Sequence, residues 1–167
     1  NTSCSSGNVR TAVDTSGSTG YSPTVVIAPD GLPVIAFNDS TTALKVTKCG
    51  NAGCSSGNTT TTVYSSGSTS QYNSIAIGSD GLPVIAFYNQ DNTSLMVAKC
   101  GNASCSEYNT ITQVDNVSTT GQYLSMAIAP DGLPVISYYD ADVSALDLKV
   151  AKCGNIYCSL ANTITTV

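Results

Sequence analysis

Asp30-Gly31-Leu32-Pro33-Val34-Ile35 decides the fold, because the chain writes it three times. It returns as Asp80-Gly81-Leu82-Pro83-Val84-Ile85 and as Asp131-Gly132-Leu133-Pro134-Val135-Ile136. A second marker, Lys-Cys-Gly-Asn-x-x-Cys-Ser, opens at Lys48, Lys99 and Lys152. Its first cysteine recurs after 51 residues (Cys49 to Cys100) and then after 53 (Cys100 to Cys153). A period of this size is the signature of propellers, solenoids and arrays. In these, each unit buries its apolar face only by stacking on its neighbours.

Each repeat reads as four short strands. The first is Thr24 to Ala28, matched by Ser74 to Ile77 and Ser125 to Ala129. Asp-Gly follows between apolar runs, a strong hairpin signal. The second strand opens on Pro33, Pro83 or Pro134, a position where a missing donor is tolerated. Val34-Ile35-Ala36-Phe37 is apolar without alternation, which predicts a strand covered on both faces. The third runs from Leu44, Leu95 or Leu148 to the marker lysine, with one face wetter than the other. The fourth, Asn58 to Val63, Asn109 to Val114 and Asn162 to Val167, is rich in Thr and suits an outer edge. Ser/Gly/Thr-rich links (Asp14 to Gly20, Tyr64 to Ser70, Asp115 to Gly121) return the chain to the next repeat. No stretch carries a helical apolar period with a cap.

Residues 1–13 match a fourth strand rather than a first. The expected organisation is one array: an extra outer strand over 1–13, then repeats over 14–63, 64–114 and 115–167. The fold class is all-β, with tandem four-stranded antiparallel blades resembling a β-propeller, three repeats plus one strand. Propellers carry four to eight blades. Three blades therefore close by oligomerisation or stay open as a stack. The extra strand calls for a partner, either an upstream blade or the edge of another subunit.

Six of the seven cysteines form C-x4-C pairs around a Gly-Asn turn. They are read as local disulfides, Cys49–Cys54, Cys100–Cys105 and Cys153–Cys158. Zinc ligation would want four ligands as two close pairs, and the chain has no His. No metal and no cofactor is expected. Cys4 is the odd one. Its repeat partner would lie two residues before Asn1, so it is unpaired, cut off from a longer array, or paired with another chain. Disulfides imply an oxidising, extracellular location.

Charged residues make up only 10% of the chain, and the net charge is -5. Arg10 is the sole arginine. Nucleic acid is excluded as a partner, since Lys and Arg must neutralise phosphates. No apolar run approaches the ~20 residues needed to span a bilayer, so membrane insertion is not expected.

Catalytic residues are not evident. The commonest general base, His, is missing. Asp140, Asp142 and Asp147, with Asp91 and Asp39 at related places, read as loop residues making Asx turns, the alternatives being a weak calcium site in an oxygen-rich loop and paired glycosidase acids. Tyr21, Tyr72 and Tyr123 recur 51 residues apart just before the first strand. They are candidates for stacking on sugar rings, against the plainer role of packing on the links. Six N-x-S/T sequons, at Asn1, Asn38, Asn58, Asn92, Asn102 and Asn116, are glycosylation candidates expected on surface loops.

The repeat Asp-Gly-Leu-Pro-Val-Ile-Ser-Tyr-Tyr-Asp (131–140), followed by Asp-Leu-Lys-Val-Ala-Lys-Cys-Gly-Asn and Asn-Thr-Ile-Thr-Thr-Val, resembles the repeats of secreted prokaryotic β-propeller-like proteins. It is distantly similar to sialidase-type blades. A sialidase site would imply an arginine triad and a Tyr/Glu pair. This chain holds one Arg and one Glu (Glu107), and no Trp for that family's Asp-box turn. The expected function is therefore a non-catalytic extracellular structural protein, a cell-surface scaffold or filament that self-associates through strand pairing. The alternative is a carbohydrate-binding or adhesin propeller module with glycans as partners.

Overall fold

The computed structural model describes residues 5–8, 10–39, 43–66, 69–117, 119–144 and 146–167, without the side chains of 69–71. Asn1 and Cys4 lie outside the described residues. Among the described residues the chain forms twelve strands and no helix. Blade one holds β1 (Thr19–Ile27), β2 (Pro33–Asp39), β3 (Leu44–Lys48) and β4 (Thr59–Tyr64). Blade two holds β5 (Thr69–Ile77), β6 (Pro83–Asn89), β7 (Ser94–Lys99) and β8 (Thr110–Asp115). Blade three holds β9 (Thr120–Ile128), β10 (Pro134–Asp140), β11 (Leu148–Lys152) and β12 (Thr163–Thr166). Each is an antiparallel meander in chain order. The innermost strands meet: β5 packs on β1 and β2, and β9 packs on β5, β6 and β7.

The two repeat markers prove to be one device. Asp30 Oδ1 accepts the amide of Leu32 at 3.0 Å, and Gly31 takes a φ of 79° that suits glycine. Asp30 also pairs with Lys48 Nζ at 2.9 Å. The same ion pair joins Lys99 to Asp80 and Lys152 to Asp131, each at 2.8 Å. The amide next to each lysine then bonds back to the strand-opening proline: Cys49 to Pro33, Cys100 to Pro83 and Cys153 to Pro134, all at 2.9 Å. The hairpin turn and the end of the third strand are thus clamped together in every blade.

The three C-x4-C pairs close as disulfides with Cα–Cα separations of 4.7–4.8 Å. Asparagine shapes each loop. Asn102 Oδ1 accepts the amides of Ser104 (3.1 Å) and Ser106 (3.0 Å), and Asn51 and Asn155 repeat the arrangement. The second cysteine of each pair takes a left-handed φ of 50–53°. Gly101 must be glycine for another reason: a Cβ there would lie 2.5 Å from the Glu107 carbonyl oxygen.

Two cores fill the spaces between blades. One joins Val34, Ala36, Leu44 and Val46 of blade one to Ile75, Ile85, Phe87, Met96 and Ala98 of blade two. The other joins Val84, Ala86, Leu95 and Val97 to Leu124, Met126, Ile136, Tyr138 and Ala151 of blade three. Alternate residues of β6 therefore serve opposite cores, Ile85 and Phe87 one and Val84 and Ala86 the other, which is why it reads as an unbroken apolar run.

The first strands start earlier than the sequence suggests. β1, β5 and β9 begin at Thr19, Thr69 and Thr120, inside the Ser/Gly/Thr-rich links, and run through register shifts before the regular ladder. Gly20, Ser22, Gly121 and Tyr123 take positive φ there, which is bulge conformation. The described part of residues 1–13 forms bends and irregular chain without ladder pairing.

Candidate functional site

The site is best built from the two blade faces that have no neighbour. Val25, Ile75 and Met126 occupy the same register position, opposite Ile35, Ile85 and Ile136. Ile75 and Met126 are each 8% exposed because the preceding blade covers them. Val25 is 63% exposed, and Ile27 beside it is similarly open. The far end shows the converse. Leu44, Leu95 and Leu148 are equivalent, opposite Asn38, Tyr88 and Tyr139. Leu44 and Leu95 are fully buried under the following blade, whereas Leu148 is 51% exposed. Val135 and Val150, whose counterparts Val34, Val84, Val46 and Val97 are wholly buried, are half-open too. Both ends therefore present the apolar surface of an internal blade junction.

Each junction also carries a polar cluster at the start of the inter-blade link. Between blades two and three, Tyr138 donates its hydroxyl to Asp115 Oδ2 at 2.7 Å. Lys149 Nζ lies 2.6 Å from Asp140 and 3.8 Å from Asp115. Burial, with the Asp115 carboxylate beside it, pushes the Tyr138 hydroxyl far up. The hydrogen bond to Asp140 raises the Lys149 ammonium. On the open face of blade one the same set recurs. Lys45 Nζ lies 3.0 Å from Asp39 and 3.7 Å from Asp14. The Asp39 hydrogen bond raises Lys45, and Ser16, bonding through its hydroxyl and its amide, holds Asp14 below the ordinary carboxyl value. Phe37 stands where Tyr138 would be, and Asp14 Oδ2 is buried without a hydrogen bond. Between blades one and two all three charges are replaced. Tyr64, Asn89 and Met96 take those places, and Asn89 Nδ2 donates to the Tyr64 hydroxyl at 2.7 Å.

These clusters were missed in the sequence, although a signal for them exists. Asp14/Asp39 and Asp115/Asp140 sit at the same offset of 25 residues in repeats one and three, Lys45 and Lys149 follow each pair in the third strand, and repeat two exchanges all three members together.

The tyrosine row is only partly assembled. Tyr72 and Tyr123 meet at a tilt of 49° with ring centroids 4.5 Å apart. Tyr88 flanks Tyr72 at 6.3 Å, and Tyr139 meets Tyr123 edge-on at 6.1 Å. The neighbouring Tyr123 hydroxyl and partial burial push the Tyr72 hydroxyl up to about 12. Tyr21 does not belong to this row. The ladder aligns Thr24 with Ser74 and Ser125, so Ser22 takes the place of Tyr72 and Tyr123. One residue fewer before Asp80 than the 51-residue spacing implies puts Tyr21 out of step, and a one-residue slip reverses the face. Tyr123 is 67% exposed, and its φ of 49° is shared by Ser22 at 47°, so that conformation belongs to the bulge.

The carboxylates of Asp39, Asp140 and Asp142 are engaged locally. Asp140 is paired with Lys149, and Asp142 Oδ1 accepts the amide and hydroxyl of Ser144 at 2.8 and 2.7 Å. Asp91 donates its amide to Asn89 Oδ1. Among the described residues, no three His, Cys, Asp or Glu side chains converge as a metal centre requires.

Of the sequons, Asn38 departs from the surface-loop expectation. It is 2% exposed, and its Oδ1 accepts from Asn73 Nδ2 at 2.9 Å across the blade junction. Asn58 holds the disulfide loop, donating to the Cys54 carbonyl at 2.7 Å. Asn102 shapes its loop as described above. Asn92 and Asn116 are exposed.

Comparison with known proteins bears on the fold. No family model matches the chain, and no curated protein matches it. Among solved structures, a GH43 beta-1,3-galactosidase superposes with a TM-score of 0.64 at 11% identity, over 89% of this chain and 32% of that one. A GH43 alpha-L-arabinofuranosidase from Clostridium thermocellum gives 0.60 at 13% identity, over 90% and 52%. The chain thus spans about a third and about half of these two enzymes. A fucose lectin from Kordia zhangzhouensis, solved with methyl-fucoside, gives 0.51 at 10% identity, over 86% and 96%. The chain is built of β-propeller blades.

Proposed function

We propose that the chain is a non-catalytic extracellular building block that associates end to end through its outer blades, forming a cell-surface scaffold or filament. One observation carries this reading. The residues exposed on the outer faces of blades one and three are the register equivalents of those that build the two internal junctions. A face shaped for a blade is best covered by a blade, and two different faces on one chain join head to tail, giving a ring where the rotation closes and a filament where it does not. Three disulfides, one per blade, support an oxidising location. The engagement of the loop carboxylates supports a role without chemistry. In a test by solution mass against protein concentration, the chain forms oligomers. Leu148→Asp, which charges the exposed end of blade three, reduces them to single folded chains. A wild-type chain that stays monomeric at high concentration overturns the reading.

A carbohydrate-binding propeller is the second reading, favoured by the exposed Tyr123 ring backed by Tyr72 and Tyr139. Aromatic faces suit the apolar faces of sugar rings, and the likeness in fold to a fucose lectin supports the reading. On a glycan array, Tyr123→Ala loses binding with its fold intact. An array that is blank for the wild type removes this reading.

A further inference from the structure

We propose that, in the assembled state, residues 10–13 of one copy replace β12 on the edge of β11 in the next copy, so that chains are joined by strand exchange. This rests on the end-to-end reading above and adds the strand that crosses the joint.

The first support is register. Arg10-Thr11-Ala12-Val13 matches Thr60–Val63, Ile111–Val114 and Ile164–Val167, each ending in valine. The second is the place this segment already occupies. Asp115 ends a fourth strand and lies 3.8 Å from Lys149 on the following blade. Asp14 follows residues 10–13 and lies 3.7 Å from Lys45 on blade one. Val13 and Thr11 border the same hollow as Ile35 and Phe37. The segment therefore docks on blade one as the tail of a fourth strand docks on the next blade. What it lacks in the single chain is a third strand beside it.

End-to-end stacking supplies that strand. Blade three of the neighbouring copy presents β9, β10 and β11, but the edge of β11 already carries β12. Two fourth strands then face one edge, and one must leave. β12 is the weaker holder. Its residues Thr163–Thr166 are all exposed, whereas β4 and β8 are partly buried. Removing residues 10–13 instead would pull Asp14 away from Lys45. Exchange trades one set of ladder hydrogen bonds for another of the same register, so it costs little, and the covered end faces drive the association.

The test keeps the full chain. Val150 and Thr165 are partners across β11 and β12. Oxidised Val150→Cys/Thr165→Cys locks β12 in its own blade. Assembly then falls at least tenfold, while each single variant assembles as the wild type does. Lys152→Cys/Thr163→Cys, also a register pair, provides a second lock should the first disturb folding. In a mixture of Val150→Cys and Thr11→Cys copies, a covalent two-chain species forms, because Thr11 takes the position of Thr165. Locked chains that assemble like the wild type, with no such species in the mixture, overturn the exchange and leave end-to-end stacking standing. A wild type that never assembles overturns both.

Discussion

Blade two and its neighbours are built from nearly the same sequence, yet their strands meet different surroundings. Every residue of β6 and of β7 is buried. In β10 buried residues alternate with half-exposed ones, and in β11 only Ala151 is buried. The difference lies in the neighbours, because blade two is covered on both faces and each outer blade on one. The apolar run of the second strands, unbroken in β2 and β6 and interrupted only by Ser137 in β10, is thus a specification for two covered faces that is met in full only by blade two. An amphipathic outer blade would have carried Ser, Thr or Lys at positions such as Val25 and Leu148.

The sharpest way to break the comparison is to place a charge on the third strand of the middle blade and on the third strand of the end blade. Val97 is wholly buried between blades two and three. An unpaired carboxylate there costs more than about 4 kcal/mol, a large share of a domain's stability. Val97→Asp should therefore fail to fold cooperatively in a thermal melt followed by circular dichroism. Leu148→Asp leaves the melting temperature of the single chain within a few degrees, since half of that side chain is already in water. Equal losses at both positions would mean that blade three is not an open end.

How much of this was legible depended on whether a feature repeats. The turn at Asp30, the proline-led second strands and the C-x4-C loops recur three times, so their roles could be read from spacing alone. The starts of β1, β5 and β9 could not. Thr19–Pro23 has the composition of a loop, because the bulge needs residues tolerant of positive φ, and only the ladder to β2 reveals a strand. Tyr21 was misplaced for the same reason, since an identical spacing of 51 hid a one-residue slip inside the bulge. Asn38 looked like a surface sequon because burial across a junction leaves no local mark. The ion clusters were hidden differently. Lys45 and Lys149 read as the wet face of a third strand, and their partners Asp14 and Asp115 lie 31 and 34 residues earlier in the chain, where the links begin.

Within the junctions, the Asp115 cluster offers a finer comparison. Tyr138→Phe removes the hydroxyl that Asp115 Oδ2 accepts and leaves a buried carboxylate oxygen short of a donor. The expected loss is about 1–3 kcal/mol, measured by chemical denaturation. The converse substitution is the most discriminating of all, because it asks whether blade one carries an unfinished copy of the same junction. Phe37 is buried at the position of Tyr138, and Asp14 Oδ2 at the position of Asp115 Oδ2 has no hydrogen bond. Phe37→Tyr adds a hydroxyl directed at that oxygen while keeping the ring. It should stabilise the chain by about 0.5–1.5 kcal/mol, the net worth of a hydrogen bond. The gain should vanish in an Asp14→Ala background, since the new donor then has no acceptor. A Phe37→Tyr chain that is less stable than the wild type, or equally improved without Asp14, would show that the two junctions share residues but not geometry.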